Sequence, residues 1–295
     1  MSESSFIAAL RGLATDPAAR GLLDDAAVLP FSGDLVLTKD LLVEGVHYLP
    51  DDPPADVAWK LVATNLSDLA AKGATPLGLL LGYPLGDPAW DRAFIAGLGE
   101  VLARFAVPLL GGDTVQGRGP RTLSLTALGR APAGGAPDRR GARAGDTLWV
   151  TGTIGEAGLG LVSATAGLND AYAHRYRRPE PRLAAGRALG PLVTAMCDVS
   201  DGLLIDAARI AAASNLAVTI DLDAAPLVGE GRAARLAAAT AGDDYELLFA
   251  LPPGTALPVL DVPATRIGAF APGTGLTLSD AAGPVPLPAA LGWQH

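Results

Sequence analysis

The sequence predicts a mixed α/β protein with two domains. Its 295 residues are 49% hydrophobic and 18% charged, and this length is typical of roughly two domains with sizeable cores. Apolar strand-like runs and helical segments follow one another in both halves. A segment rich in Pro, Gly and Arg at 131–143 is typical of an interdomain connection. These observations place the domains at 1–136 and 137–295.

Composition argues against several classes of protein. No run of about 18 apolar residues occurs, and the first five residues lack the pattern of a secretory signal. The single cysteine, Cys197, excludes an internal disulfide and fits a reducing cytoplasm, where we expect the protein to be located. Its apolar and acidic neighbours indicate an unreactive thiol. A net charge of −9 argues against a nucleic-acid partner, and we expect no membrane partner.

The stretch from Cys197 to Leu204 contains two aspartates three residues apart. Asp198 and Asp201 flank Ser200, with an apolar run before them and a helix-like run after Gly202. We expect a strand end or tight turn that enters a helix with Ser200 as its N-cap. Carboxylates at this position either cap the helix or hold a divalent cation beside a phosphate, and the stretch alone leaves both readings open.

Asp68 lies on a helix predicted from about Val57 to Lys72, with Asp56 as its cap. The helix is apolar almost all round, which indicates burial. Because a buried carboxylate is costly unless it is paired or metal-bound, Asp68 is a candidate metal ligand. A core aspartate with hydrogen bonds to the backbone is the alternative.

Further aspartates adjoin apolar strands. Asp25 precedes a strand expected near 26–29, Asp40 ends the strand at 34–40, and Asp113 follows a predicted glycine turn at 111–112. If these carboxylates converge, cations must neutralise them. Carboxylates with few histidines and no cysteine pair favour Mg²⁺ over zinc. Placement and composition therefore predict Mg²⁺-dependent phosphate chemistry.

The other candidates are weaker. The turn at 151–160 matches neither common phosphate-binding glycine pattern. Arg139, Arg140 and Arg143 suit either phosphate oxygens or a solvated linker. His47 lies in a predicted loop, where an isolated histidine is more often structural than functional.

Four motifs occur in the order found in thiamine-monophosphate kinases: Asn65–Ala74, Gly111–Thr114, Asp198–Leu203 and Gly242–Leu247. With Glu44–His47, they make the chain resemble this family from about Asp24 to Trp293. The resemblance implies the two-domain fold of aminoimidazole ribonucleotide synthetase, with an N-terminal sheet that forms a barrel across a homodimer. It implies a C-terminal α/β domain folded against the first, with the active site between them. The implied reaction converts ATP and thiamine monophosphate to ADP and thiamine diphosphate.

The resemblance also implies roles for individual residues. The implied Mg²⁺ ligands are Asp25, Thr38, Asp40, Asp68, Asp113, Asp198 and Asp201. The implied ATP-binding positions are Gly112, Asp113, Arg139, Ser200 and, for stacking on the nucleotide, Phe105. The implied thiamine-phosphate site contains His47, Asp243 and Trp293, whose ring would attract the cationic thiazolium. Without the resemblance, Trp293 would be taken as a surface residue.

No acid–base residue is assigned, because the attacking phosphate oxygen already carries charge. Catalysis then consists of in-line alignment and charge neutralisation by metals and Arg139. Four positions depart from the family pattern: Leu23 replaces a usual glycine, Lys39 a metal-binding threonine, Phe105 a tyrosine and Asp243 a glutamate.

Three alternatives remain open. Selenophosphate synthetase usually needs a reactive cysteine or selenocysteine near its N-terminus, and this sequence has none there. The hydrogenase maturation protein that dehydrates a carbamoyl group ends in a modified cysteine, whereas this sequence ends in His295. A non-catalytic cation-binding module is the third alternative.

Overall fold

The chain folds as two units, each built around its own β-sheet. The computed structural model describes residues 2–117 and 119–294, so His295 lies outside the described residues. Unit 1 comprises Met1–Leu69 and Thr75–Ala131, and unit 2 comprises Ala70–Ala74 and Pro132–His295. The boundary predicted from composition falls at 136/137, inside the connection that follows Ala131.

Unit 1 contains a four-stranded sheet with the order β1-β4-β2-β3. Strands β2 and β3 are parallel, and β4 is antiparallel to both β1 and β2. The strands are β1 (Leu35–Val43), β2 (Thr75–Leu85), β3 (Leu109–Gln116) and β4 (Thr122–Arg130). The helices are α1 (Glu3–Arg11), α2 (Pro54–Ala71) and α3 (Pro88–Phe105), with a short 3₁₀ segment at Pro17–Leu22.

The two faces of this sheet differ sharply in burial. On β4, Leu123, Leu125 and Ala127 are fully buried, while the residues that alternate with them are half-buried. We call the second face the open face, and it carries exposed apolar side chains beside polar ones such as Lys39 and Asp113. Its exposed apolar side chains are Leu35 (41%), Leu37 (61%), Leu41 (48%), Leu80 (37%) and Val115 (55%).

Unit 2 contains a seven-stranded sheet with the order β11-β10-β7-β9-β5-β8-β6. The pair β7–β10 is parallel, and the other described pairs are antiparallel. The strands are β5 (Thr147–Thr151), β6 (Ala195–Asp198), β7 (Leu216–Asp221), β8 (Leu247–Leu251), β9 (Ala264–Pro272), β10 (Gly275–Asp280) and β11 (Gly283–Val285). The helices are α4 (Glu156–Thr165), α5 (Ala171–Arg177), α6 (Leu183–Leu189), α7 (Leu203–Ala213) and α8 (Gly231–Thr240). A 3₁₀ segment covers Arg139–Gly141.

Several local predictions were wrong. Residues 26–29 form no strand, and the Val28 N–H there donates to the Ala18 carbonyl, next to a 3₁₀ segment, rather than to a neighbouring strand. The glycines at 111–112 lie within β3 rather than in a turn, and α2 begins at Pro54, with Asp56 in its first turn.

No described helix has both the length and the apolar character needed to span a bilayer.

Candidate active site

In unit 1, polar side chains of β1 meet polar side chains of α2. The Thr38 hydroxyl donates to the Asp68 carboxylate, and the Asp40 N–H donates to the Asn65 side-chain oxygen at 3.2 Å. Alternation along β1 puts Thr38 and Asp40 on one face, and the three-residue spacing puts Asn65 and Asp68 on one side of the helix. The structure therefore brings together three of the predicted metal ligands, Thr38, Asp40 and Asp68.

This cluster holds two carboxylates close enough to affect one another. Burial and, to a smaller extent, the charge of Asp68 together raise the pKa of Asp40 to about 6, while a hydrogen bond from Thr64 opposes the shift. The donors are all oxygen, which suits a hard cation such as Mg²⁺. Among residues 2–117 and 119–294, no three His, Cys, Asp or Glu side chains form a group that could hold a metal ion. A cation here would complete its shell with water or substrate oxygens.

A cavity of about 660 Å³ in unit 1 contains other predicted site residues. Asp25, Lys39, Gly112 and Asp113 all line it. Asp25 and Asp113 are exposed, and the Asp113 carboxylate accepts a hydrogen bond from the next backbone N–H at 3.0 Å. Lys39 alternates with Thr38 and Asp40 on β1, so it lies on the opposite face of the strand from them.

Gly112 is required by its neighbour strand. A Cβ at this position would lie 1.9 Å from the Leu81 carbonyl oxygen, a distance that no side chain can tolerate. The close packing of β3 on β2 therefore requires a glycine at this position.

His47 and Phe105 occupy partly buried positions in unit 1. The His47 Nδ1 accepts a hydrogen bond from the Val43 N–H at 3.1 Å, so the neutral ring carries its proton on Nε2. Its carbonyl oxygen accepts a hydrogen bond from the buried Lys60 ammonium at 2.9 Å, which fixes the loop. Phe105 ends α3 and packs edge-on against Trp59, with ring centroids 5.6 Å apart.

In unit 2, the loop after β6 is joined by backbone hydrogen bonds to two distant segments. Three successive carbonyls of this loop accept hydrogen bonds, each at 2.9 Å. The Tyr245 N–H donates to the Val199 carbonyl, and the Asp243 N–H donates to the Ser200 carbonyl. The Trp293 N–H donates to the Asp201 carbonyl. The structure therefore brings together five predicted site residues in one hydrogen-bonded region. They are Asp198, Ser200, Asp201, Asp243 and Trp293.

The predicted helix cap in this loop was wrong. Gly202, with a φ of 130°, occupies the N-cap position of α7 and makes no side-chain cap. The Asp206 carboxylate, on the first turn of the helix, instead accepts from the Asp201 N–H at 3.1 Å. Ser200 lies too far from the helix start to cap it.

Sequence reasoning missed the charge partners of Asp201. Arg209 forms an ion pair with the Asp201 carboxylate and a second one with Asp206 at 2.8 Å. Asp206 is fully buried, and burial raises its pKa, while its bonds to Arg209 and to the Asp201 N–H oppose the shift. The three-residue spacing of Asp206 and Arg209 on a helix was the available signal.

The acidic motif at 242–247 also contains two structural carboxylates that sequence reasoning passed over. Asp244 accepts from the Gly155 and Ala157 N–H groups at 2.7 and 3.1 Å, at the N-terminus of α4. Glu246 is fully buried and accepts from Thr151 at 2.7 Å, Arg175 at 2.6 Å and Arg182 at 2.8 Å.

Arg139 lies exposed on its 3₁₀ segment. Its neighbour Arg140 forms an ion pair with Asp138 at 2.6 Å. Lys72 bridges the carbonyls of Pro137 and Met196 at 3.2 and 3.3 Å and so ties the start of this segment to β6. The buried Cys197 precedes Asp198, and burial raises the pKa of its thiol, which confirms the prediction of an unreactive cysteine.

Comparison with known proteins agrees with this arrangement. The N-terminal domain model of the AIR synthase related proteins matches residues 23–131, and their C-terminal domain model matches residues 143–279. The chain is 44% identical over 304 aligned positions to the thiamine-monophosphate kinase of Caulobacter vibrioides, covering 95% of this chain and 86% of that protein.

Solved structures give the same result. The thiamine-monophosphate kinase of Stenotrophomonas maltophilia superimposes with a TM-score of 0.82 at 37% identity, over 93% of this chain and 94% of that one. A complex of AaThiL with AMPPCP and TMP superimposes with a TM-score of 0.77 at 27% identity, over 94% and 93% of the two chains.

Fold and site together define a two-domain protein of the AIR synthase related class. Within that class, the chain belongs to the thiamine-monophosphate kinase family. It is accordingly a phosphotransferase whose acceptor is itself a phosphate group. This result favours the kinase over the three alternatives left open by the sequence.

The Asp244 carboxyl gives a pH-dependent contribution to stability whose sign can be tested. Burial raises the pKa of Asp244 to about 7 in the folded protein, against 3.8 for the free side chain. Between these values the folded state binds more protons than the unfolded state, so this contribution to stability is full below about pH 4 and is lost as the pH rises towards 7. We expect the free energy of unfolding of the natural protein, relative to Asp244→Asn, to fall from pH 4 to pH 7 in urea titrations. A difference that stays flat or rises across this range would contradict the assignment.

Proposed function

We propose that this protein transfers the γ-phosphoryl group of ATP to thiamine monophosphate in one in-line, Mg²⁺-dependent step. The products are ADP and thiamine diphosphate. The observation that carries the proposal is the identity with a curated thiamine-monophosphate kinase along almost the whole chain. The AaThiL complex, which contains a nucleotide analogue and TMP together, supports the same pair of substrates.

The proposed Mg²⁺ ligands come from the predicted set of Asp25, Thr38, Asp40, Asp68, Asp113, Asp198 and Asp201. Support comes from the oxygen-only cluster of Thr38, Asp40 and Asp68, where two neighbouring carboxylates raise the cost of ionisation. Bound Mg²⁺ would neutralise charge on the transferring phosphoryl group. Arg209 forms an ion pair with the Asp201 carboxylate, so a metal ion bound there would share the carboxylate with this guanidinium or displace it.

The proposed ATP-binding residues are Gly112, Asp113, Arg139, Ser200 and Phe105. Arg139 is exposed and carries a guanidinium group suited to phosphate oxygens. Phe105 keeps a partly exposed ring beside Trp59, and this ring could stack on a base. Ser200 does not cap α7. Its hydroxyl would instead contact a phosphate group of ATP.

The proposed thiamine-phosphate site consists of His47, Asp243 and Trp293. The Trp293 side chain is 54% exposed, which leaves an aromatic face for the cationic thiazolium ring. The Tyr245 hydroxyl donates to the Asp243 carboxylate at 3.1 Å and so orients an acceptor for the aminopyrimidine. The Nε2–H of His47 would be a donor for a phosphate oxygen.

We further propose that two copies of the chain associate through the open face of the unit 1 sheet. Five large apolar side chains lie exposed on this one face, whereas exposed apolar residues on monomers are usually scattered. A second copy of the same sheet would cover them in an isologous contact.

Purified protein incubated with ATP, Mg²⁺ and thiamine monophosphate is expected to form thiamine diphosphate and ADP in equal amounts. Chromatography of the thiamine esters measures the product directly. ADP without thiamine diphosphate would show that the acceptor is wrong. Metal binding without ATP binding in calorimetry would favour a cation-binding module.

Replacement of Asp68 by Asn is expected to reduce turnover by at least about a hundredfold while the fold is kept, because a charge-bearing metal ligand is lost. Circular dichroism and thermal unfolding check the fold, and calorimetry checks Mg²⁺ binding. Asp34→Asn is the matched control, since Asp34 is exposed in the same unit and lies outside the proposed ligand set. Near-normal turnover in Asp68→Asn would remove this residue from the metal site.

Replacement of Leu37 by Glu is expected to convert a dimer to a monomer, because it places a charge among the exposed apolar side chains of β1 on the open face. Light scattering measures the mass. Because the Leu37 side chain is exposed in the single chain, the Leu37→Glu variant should still fold. Val259→Glu, at a position that is 99% exposed, is the control. A natural protein that is monomeric, or a Leu37→Glu variant that stays dimeric, would rule out this interface.

A further inference from the structure

Gly292 lies where three parts of unit 2 meet. A Cβ at this position would be 2.4 Å from the Asp201 carbonyl oxygen and 2.5 Å from the Ile205 Cγ2 atom. The Gly292 backbone is not in the left-handed region, so other residues could adopt its conformation. A glycine is required here because a side chain would clash with these neighbouring atoms. The carbonyl is a backbone atom that cannot turn aside, so any side chain would push segment 291–293 away from the loop.

The neighbouring residue shows what this close approach achieves. The Trp293 N–H donates to the same Asp201 carbonyl at 2.9 Å, while the indole remains 54% exposed. The backbone of Trp293 is therefore fixed to the loop that carries Asp198, Ser200 and Asp201, while about half of its side chain is exposed to solvent. Asp243 is fixed to the same loop through the Ser200 carbonyl, also at 2.9 Å.

We infer that Gly292 is a positioning residue for the acceptor substrate. By allowing the hydrogen bond between Trp293 and Asp201, it sets the aromatic face of Trp293 at a fixed place relative to the loop proposed to bind phosphate and metal. A thiamine ring stacked on Trp293 is thereby held in register with that loop, which is what in-line transfer to its phosphate requires. This inference rests on the proposed function, because it takes Trp293 as part of the acceptor site.

Replacement of Gly292 by Ala tests the inference through steady-state kinetics. We expect KM for thiamine monophosphate to rise about tenfold, since one backbone hydrogen bond and the ring position it fixes are lost together. We expect kcat to fall as well, because in-line transfer depends on this register, while KM for ATP stays within about twofold. Gly12→Ala is the control: Gly12 is exposed at the end of α1, and a Cβ there would have its nearest neighbour at 3.4 Å.

A double-mutant cycle separates positioning from a general structural effect. Trp293→Ala removes the ring but keeps the N–H, and Trp293→Phe keeps an aromatic face and should raise KM less. If Gly292 acts through Trp293, Gly292→Ala should add nothing to KM in the Trp293→Ala background. Independent effects that multiply in the double variant, or an unchanged KM in Gly292→Ala, would overturn the inference.

Hydrogen exchange gives a readout that needs neither activity nor a variant that folds. In the natural protein the Trp293 amide should exchange at least about tenfold more slowly than an unprotected peptide, because it donates to Asp201. Unprotected exchange would refute the attachment of Trp293 to the loop. Failure of the natural protein to form thiamine diphosphate would refute the proposed function instead, so the two failures are distinguishable.

Discussion

The pairing of Val199 with segment 245–246 is the constraint on which the unit 2 site depends. Val199 donates to the Glu246 carbonyl at 2.8 Å and accepts from the Tyr245 N–H, so the β6–β8 ladder continues beyond both strands. The ladder is anchored by the buried Glu246 carboxylate, which binds Thr151, Arg175 and Arg182. Because a buried charge without such partners is strongly destabilising, these bonds hold the acidic motif to the core before any ligand arrives.

The neighbouring acids Asp243 and Asp244 of the acidic motif face different partners because of an unusual backbone conformation. Asp243 and Tyr245 have φ values of 69° and 52°, a conformation that is costly for residues other than glycine. This backbone interrupts the simple alternation of a strand. Asp244 consequently faces the N-terminus of α4, while Asp243 lies against the Tyr245 hydroxyl and the Ser200 carbonyl. Strain of this kind is typical of functional segments, and it is retained here by hydrogen bonds on both sides.

The sequence predicted the elements whose patterns are local. The helix predicted from about Val57 to Lys72 is observed at Pro54–Ala71, and the strand predicted at 34–40 is observed at Leu35–Val43, because helical and strand patterns specify them without help from distant residues. The strand predicted at 26–29 was wrong, because an apolar run does not reveal whether a partner strand lies beside it. The prediction that Ser200 caps the helix was wrong because α7 begins at Leu203, with Gly202 at the N-cap position. The meeting of loop 198–202 with Asp243 and Trp293 depends on backbone bonds between distant segments, which no local pattern encodes.

Partner identity separates structural carboxylates from those proposed to bind ligands. Asp206, Asp244 and Glu246 are buried, yet each accepts from backbone N–H groups or from arginine, and these partners stabilise the ionised form. Asp40 is also buried, but burial and the charge of Asp68 raise its pKa against a hydrogen bond from the uncharged Thr64 side chain rather than from an arginine. Two such neighbours destabilise the fold wherever both are ionised, and strongly perturbed acids of this kind cluster at sites that bind or transfer charge. The same physics that makes the cluster of Asp40 and Asp68 a poor structural element therefore makes it a favourable place for a divalent cation.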